Sequence, residues 1–169
     1  VKVAIVSGFF YDQSVWTALL RGWCAHLDRN RFELHLLYTG IVVDAETAIA
    51  RSHATTWHHG LSGIAPWRDA IRGIAPDILL YPDIGMDSMS TQLASLRLAP
   101  TQVAAWGHPE TTGLPTIDYY LSAASFEPPG AGAHYREQLI ALPNLGCYYD
   151  PLLPAFVEPR WDSLGVDDG

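Results

Sequence analysis

Short apolar runs alternate along this chain with longer stretches whose apolar residues recur every three or four positions. VKVAIVS (1–7) is a run rich in β-branched residues with the length of a buried strand, and SVWTALLRGWCAHLD (14–28) carries apolar positions at helical spacing, with Ser14 placed to cap its start. RFELHLLYTG (31–40) reads as a second strand, DAETAIARSHA (44–54) as a short helix capped by Asp44, and TTWHHG (55–60) as a third strand. APWRDAIRGIAP (65–76) reads as a helix, DILLYPD (77–83) as a strand, and SMSTQLASLRLAP (88–100) as a helix closed by Pro100. TQVAAW (101–106) and TIDYYLSA (116–123) read as strands, and GAHYREQLIALP (132–143) as a helix running into a last strand.

Strands alternating with helices predict parallel pairing with helices on both faces, and right-handed crossovers leave few topologies. The expected fold class is α/β: a Rossmann-like, doubly wound, mainly parallel sheet. Ligands of such sheets bind beyond the carboxyl ends of the strands. The loops to read for function are therefore SGFFYDQS (7–14), YPDIGMDS (81–88) and GHPETTG (107–113).

Composition narrows the partners. With 169 residues, 49% of them hydrophobic, the chain suits one domain with a full core. A formal charge of −8 without a cluster of Lys or Arg argues against a nucleic-acid partner, which needs several cations on one face. Cys24 and Cys147 offer neither a disulfide framework nor metal-ligand spacing, so a reduced, cytoplasmic protein without a bound metal is expected. No apolar run reaches the roughly 20 residues that span a bilayer, so no membrane role is expected. The start at Val1 and the polar end DDG suggest a segment of a longer protein.

The loops differ in what they offer. Gly8 follows the first strand, but Phe10 and Gln13 stand where a dinucleotide fingerprint would need glycines, so an NAD site is not supported. Phe9, Phe10 and Tyr11 suit packing over the top of the domain, with Asp12 or Ser14 as a helix cap. Asp83 and Asp87 flank Gly85 at a spacing that fits a cation-holding or proton-sharing pair, but fits better Asp83 as a turn former and Asp87 as the next cap. In GHPETTG, Gly107 and Gly113 bracket His108, Glu110, Thr111 and Thr112, so a titratable group and several hydrogen-bond donors can converge on one ligand. The same loop also reads as a connector stiffened by Pro109 whose threonines bond their own backbone. His26 and His35 read as surface or packing residues, His134 as part of a helix, and Trp16, Trp23 and Trp67 as core.

At this loop a family resemblance becomes specific. LRLAPTQVAAWGHPETTGLPTIDYYLSA, followed by EPPGAGAHYREQLIALPN, resembles the O-GlcNAc transferase and SPINDLY family, with its LRPAPVQ segment, its GYPGTSG or GYPGTTG loop, its D-Y pair and its HYSE-like stretch leading into LP. The opening VAIVSGFFYDQSVWTALLRG, the segment DRNRFELHLLYTG and the segment DILLYPDIGMDS are similar to further motifs of that family, in order, so the resemblance runs from residue 1 to about 150.

The resemblance implies the amino-terminal lobe of a GT-B glycosyltransferase, over residues 1–159, with 160–169 opening a linker to a carboxyl-terminal lobe that holds the nucleotide. Family members move GlcNAc from UDP-GlcNAc to Ser or Thr hydroxyls of proteins without a metal, and tetratricopeptide repeats usually precede the lobe. This lobe would bind no cofactor, would face a protein or peptide acceptor, and alone would be inactive. On the matching positions, His108 replaces the family's loop Tyr and Glu110 its Gly, and the catalytic assignment falls on His108 and on Gln13, where the family has a His. Gly107, Pro109, Glu110, Thr111, Thr112, Gly113 and Asp83 are the implied substrate-binding positions. A second family His falls near Trp57, beside His58.

Both replacements remove an imidazole able to exchange a proton near neutral pH. They leave open a non-catalytic relative that binds peptide or a partner protein, and a bacterial transferase that uses another sugar nucleotide. A free-standing flavodoxin-type binder fits the sheet but leaves the motifs unexplained.

Overall fold

The computed structural model describes residues 1–148. Its strands are β1 (Lys2–Ser7), β2 (Glu33–Tyr38), β3 (Thr56–His59), β4 (Ile78–Tyr81), β5 (Thr101–Ala105), β6 (Tyr119–Ala123) and β7 (Gln138–Leu142). They form one sheet in the order β3-β2-β1-β4-β5-β6-β7, and every neighbouring pair is parallel. The expected α/β architecture is therefore present, with the strand order of a dinucleotide-type sheet extended by β7.

Helices cover both faces. A π-helix (Val15–Leu20) running into α1 (Arg21–His26), together with α2 (Ala45–Ser52), packs Trp16, Leu19, Leu20, Cys24 and Ala50 against Ile5, Leu36 and Leu80. On the other face, α3 (Ile64–Ile74) and α4 (Ser88–Ala94) pack Trp67, Ile71 and Leu93 against Ala4, Val6, Leu79 and Tyr81. Ala4, Ile5 and Val6 go to alternate faces, as do Leu79, Leu80 and Tyr81. That period of two, on strands buried from both sides, is why the runs read as continuously apolar.

Local chemistry sets most helix starts. Asp44 accepts from Thr47 N at 2.9 Å while Thr47 Oγ1 accepts from Asp44 N at 3.1 Å, a reciprocal capping box. Asp87 caps α4 by accepting from Ser90 N at 2.8 Å. Ser14 makes no capping bond; instead Gln13 Oε1 accepts from Val15 N at 2.6 Å, and Asp12 N donates to Asp44.

Two expected helices are shorter than their patterns. α4 ends at Ala94, well before Pro100, where the Ser95 hydroxyl bonds back to Thr91 O and Leu98 N turns to Gln102 Oε1. The helix expected at 132–143 is only a 3-10 turn (Ala131–His134) before β7. Gly130 and Gly132 disfavour helix there, and Tyr135 and Glu137 bond to Glu127 and to Thr112. Thus β5 reaches β6, and β6 reaches β7, without an α-helix. His134 is exposed, and Trp16 and Trp67 are buried core. Residues 149–169, including the expected linker at 160–169, lie outside the described residues.

Candidate functional site at the carboxyl edge of the sheet

The loops that follow β1, β4 and β5 meet at one edge of the sheet, beside the point where the strand order reverses between β1 and β4. The GHPETTG loop lies on the β4 loop. His108 N donates to Pro82 O at 3.2 Å, and Tyr120 Oη donates to His108 O at 2.5 Å. The two backbones approach so closely that a Cβ on Gly107 would sit 2.5 Å from Pro82 O. The half-buried His108 ring covers Gly85, where a Cβ would lie 2.4 Å from Cδ2. Gly85 also has φ +98°, so both its backbone and its neighbour require glycine.

Thr111 and Thr112 bond their own backbone, Thr112 Oγ1 accepting from Leu114 N at 3.1 Å and Thr111 Oγ1 from Gly113 N at 3.4 Å, and they also bond a residue that the sequence does not single out. Glu137, at 4% exposure, accepts from Thr111 Oγ1 at 2.6 Å, from Thr112 N at 2.9 Å, and from Thr112 Oγ1. Burial pushes its carboxyl up, yet the hydrogen bonds from both threonines outweigh that and hold it below the usual range. Both threonine hydroxyl protons therefore point to Glu137, and the amides of Glu110 and Thr111, on exposed residues, make no hydrogen bond among the described residues. Pro109 and Glu110 are exposed, and Gly113 turns the loop with φ +65°.

Asp83 is fully buried. Its Oδ2 accepts from Ser7 Oγ at 3.0 Å and Gly8 N at 2.8 Å, which ties the β1 and β4 loops together. Oδ1 has no partner. Its backbone carbonyl accepts from Met86 N, as a turn former's would. Burial raises its pKa to about 7, with the neighbouring Asp87 adding to the rise and the Gly8 and Ser7 bonds opposing it.

A pH dependence follows from that shift. Between the unfolded value of 3.8 and the folded value of about 7, the folded protein keeps a proton that the unfolded chain has lost. This group's contribution to stability therefore falls as pH rises through that window and is flat above it. Denaturant unfolding at pH 5 and pH 7.5 should show Asp83→Asn losing less stability over that interval than the parent; an equal slope would remove Asp83 as its source.

Gln13 and Trp57, at the two positions matched to family histidines, have evident structural partners. Gln13 is the helix cap described above. Gln13→Ala should cost about 1 kcal/mol, read as a lower thermal midpoint; an unchanged midpoint would mean that Ser14 takes over the cap. Trp57 packs with its ring 5.7 Å from both Phe10 and Tyr38, and His59 stacks on Tyr38 at 4.8 Å.

A cavity of about 380 Å³ adjoins the GHPETTG loop, lined by Pro109, Glu110, Thr111, Glu127, His134 and Tyr135 among others. A larger one of about 690 Å³ lies between α1 and α2, among Arg21, His26, Glu46 and His53, away from that loop. Among the described residues, no three His, Cys, Asp or Glu are grouped to hold a metal, and no helix is long and apolar enough to cross a membrane. Cys24 and Cys147 are free thiols.

The parallel sheet and the loops gathered on its carboxyl edge define a Rossmann-like lobe. In a solved structure of a mutant O-GlcNAc transferase from Thermobaculum terrenum, the same fold covers 83% of this chain and 27% of that one, with a TM-score of 0.77 and 25% identity. The Arabidopsis thaliana protein named probable UDP-N-acetylglucosamine–peptide N-acetylglucosaminyltransferase SPINDLY is 42% identical over 160 residues, which are 89% of this chain and 17% of the relative. A UDP-glucose:protein N-beta-glucosyltransferase of Actinobacillus pleuropneumoniae is 36% identical over 74 residues, 44% of this chain and 12% of the relative. No protein-family model matches. The chain belongs to the O-GlcNAc transferase and SPINDLY family, and it spans only a small part of the length of these relatives.

Proposed function

We propose that this chain is the acceptor-side lobe of a protein O-glycosyltransferase that moves GlcNAc from UDP-GlcNAc to Ser or Thr hydroxyls. The observation that carries the reading is the GHPETTG loop, held at the carboxyl edge of the sheet with His108 fixed over Gly85. Transfer requires neutralisation of the departing diphosphate and an incoming hydroxyl held in line. A lobe with formal charge −8 is poorly suited to the first task and suited to the second. His108 contacts the donor sugar or the acceptor hydroxyl, and the Glu110 and Thr111 amides face the sugar or phosphate. Asp83 acts from below by joining loops rather than by touching substrate. The nucleotide belongs to a second, carboxyl-terminal lobe, and upstream tetratricopeptide repeats would present the acceptor.

The test is transfer of radiolabelled sugar from UDP-GlcNAc to a Ser/Thr peptide library by the full-length enzyme, with UDP-glucose run in parallel. GlcNAc transfer to hydroxyls supports the reading. Transfer of glucose alone supports the bacterial variant with another donor, which the resemblance to the N-glucosyltransferase favours. Absence of transfer from either donor, with peptide still bound, supports the non-catalytic reading, for which the capping role of Gln13 and the packed Trp57 speak.

A further inference from the structure

Glu137 stands at the end of the β6–β7 connection, 26 and 25 residues from the two threonines that it holds. A carboxylate at 4% exposure is costly unless hydrogen-bonded, and all the side-chain bonds it accepts come from the GHPETTG loop. The same connection reaches the loop a second way. The Tyr135 ring lies 4.8 Å from that of Tyr120, whose hydroxyl donates to His108 O. Tyr135 is itself tied down, its hydroxyl donating to Glu127 Oε1 at 2.8 Å. The loop is thus gripped at both ends of its polar stretch, at His108 and at Thr111 and Thr112.

We propose that Glu137 is a positioning residue for glycosyl transfer, acting through Thr111 and Thr112 to hold the GHPETTG loop in the geometry that presents His108 and the Glu110 and Thr111 amides to substrate. This rests on the transferase reading above. Glu137 is not a catalytic residue, because its carboxylate is buried and both its oxygens are bonded to the loop. Its geometry explains why both hydroxyl protons turn away from the outward surface: the threonines order the backbone, and the backbone meets the ligand. Gln can replace it in part, since its Oε1 still accepts from Thr112 N while its amide donates to Thr111 Oγ1.

The test uses the full-length enzyme and the variants Glu137→Ala, Glu137→Gln and Thr111→Val with Thr112→Val, alone and combined. Amide hydrogen exchange at Thr112 should quicken about tenfold or more in Glu137→Ala, while amides of β1 and β4 keep their protection. Turnover should fall about tenfold or more with donor KM unchanged, Gln should recover most of it, and Glu137→Ala added to the threonine pair should cost little further. Unchanged Thr112 exchange would overturn the latch. Faster exchange with unchanged turnover would overturn its part in the reaction, as would full additivity of the variants. If the parent enzyme transfers no sugar, the transferase reading and the positioning role fall together, and the exchange measurement still decides whether Glu137 holds the loop.

Discussion

His108→Ala in the full-length enzyme should lower turnover at least about tenfold, with the fold and thermal midpoint little changed. The imidazole is half-buried, sits over Gly85, and belongs to a loop whose backbone is fixed independently of the ring, by His108 N to Pro82 O and by Tyr120 Oη to His108 O. Truncation therefore removes a ring and leaves its supports. A loss below about threefold, measured as kcat on a peptide acceptor, would reduce His108 to packing over the glycine. His108→Asn, which keeps a hydrogen-bonding group but cannot exchange a proton near neutral pH, separates the roles: recovery would mean that the ring binds rather than shuttles.

Gly85→Ala should damage both stability and activity, and by one cause. The backbone at φ +98° strains any L side chain, and the new methyl would sit 2.4 Å from the His108 ring, which must swing away. Strain of about 1–2 kcal/mol is expected, enough to lower the thermal midpoint by several degrees. Turnover should fall toward that of His108→Ala, and adding His108→Ala to Gly85→Ala should cost little further activity while restoring part of the stability. Full additivity in activity would mean that the glycine serves the turn alone. An unchanged midpoint would contradict the close contact.

Much of this fold was legible because its signals are local. A strand buried on both faces reads as an apolar run, an amphipathic helix repeats near every fourth residue, and Asp44 and Asp87 announce helix starts through bonds to residues three positions on. Position along the chain also placed the candidate loops together, since a parallel sheet puts every strand's carboxyl end at one edge. What stayed hidden depends on distance. Nothing near Glu137 says that its partners are Thr111 and Thr112, and the helical look of 132–143 concealed that an extended chain delivers it there. Asp83 reads locally as a turn former, and its carbonyl does accept from Met86 N, but its burial and its bonds to Ser7 and Gly8, some 75 residues back in the chain, do not show in the sequence. Gln13 stands where the family has an imidazole, and Ser14 has the short hydroxyl that usually caps a helix. The glutamine amide reaches the Val15 amide instead.

The family relationship leaves one central claim to test, that this lobe is one wall of a two-lobed site and that the nucleotide sits on the other. Calorimetric titration of UDP and UDP-GlcNAc into the 169-residue chain, and into a longer chain that carries the carboxyl-terminal lobe, addresses it directly. Binding only to the longer protein is the predicted result. Binding of UDP to the 169-residue chain with comparable affinity would contradict the account, because the nucleotide would then belong to the lobe described above.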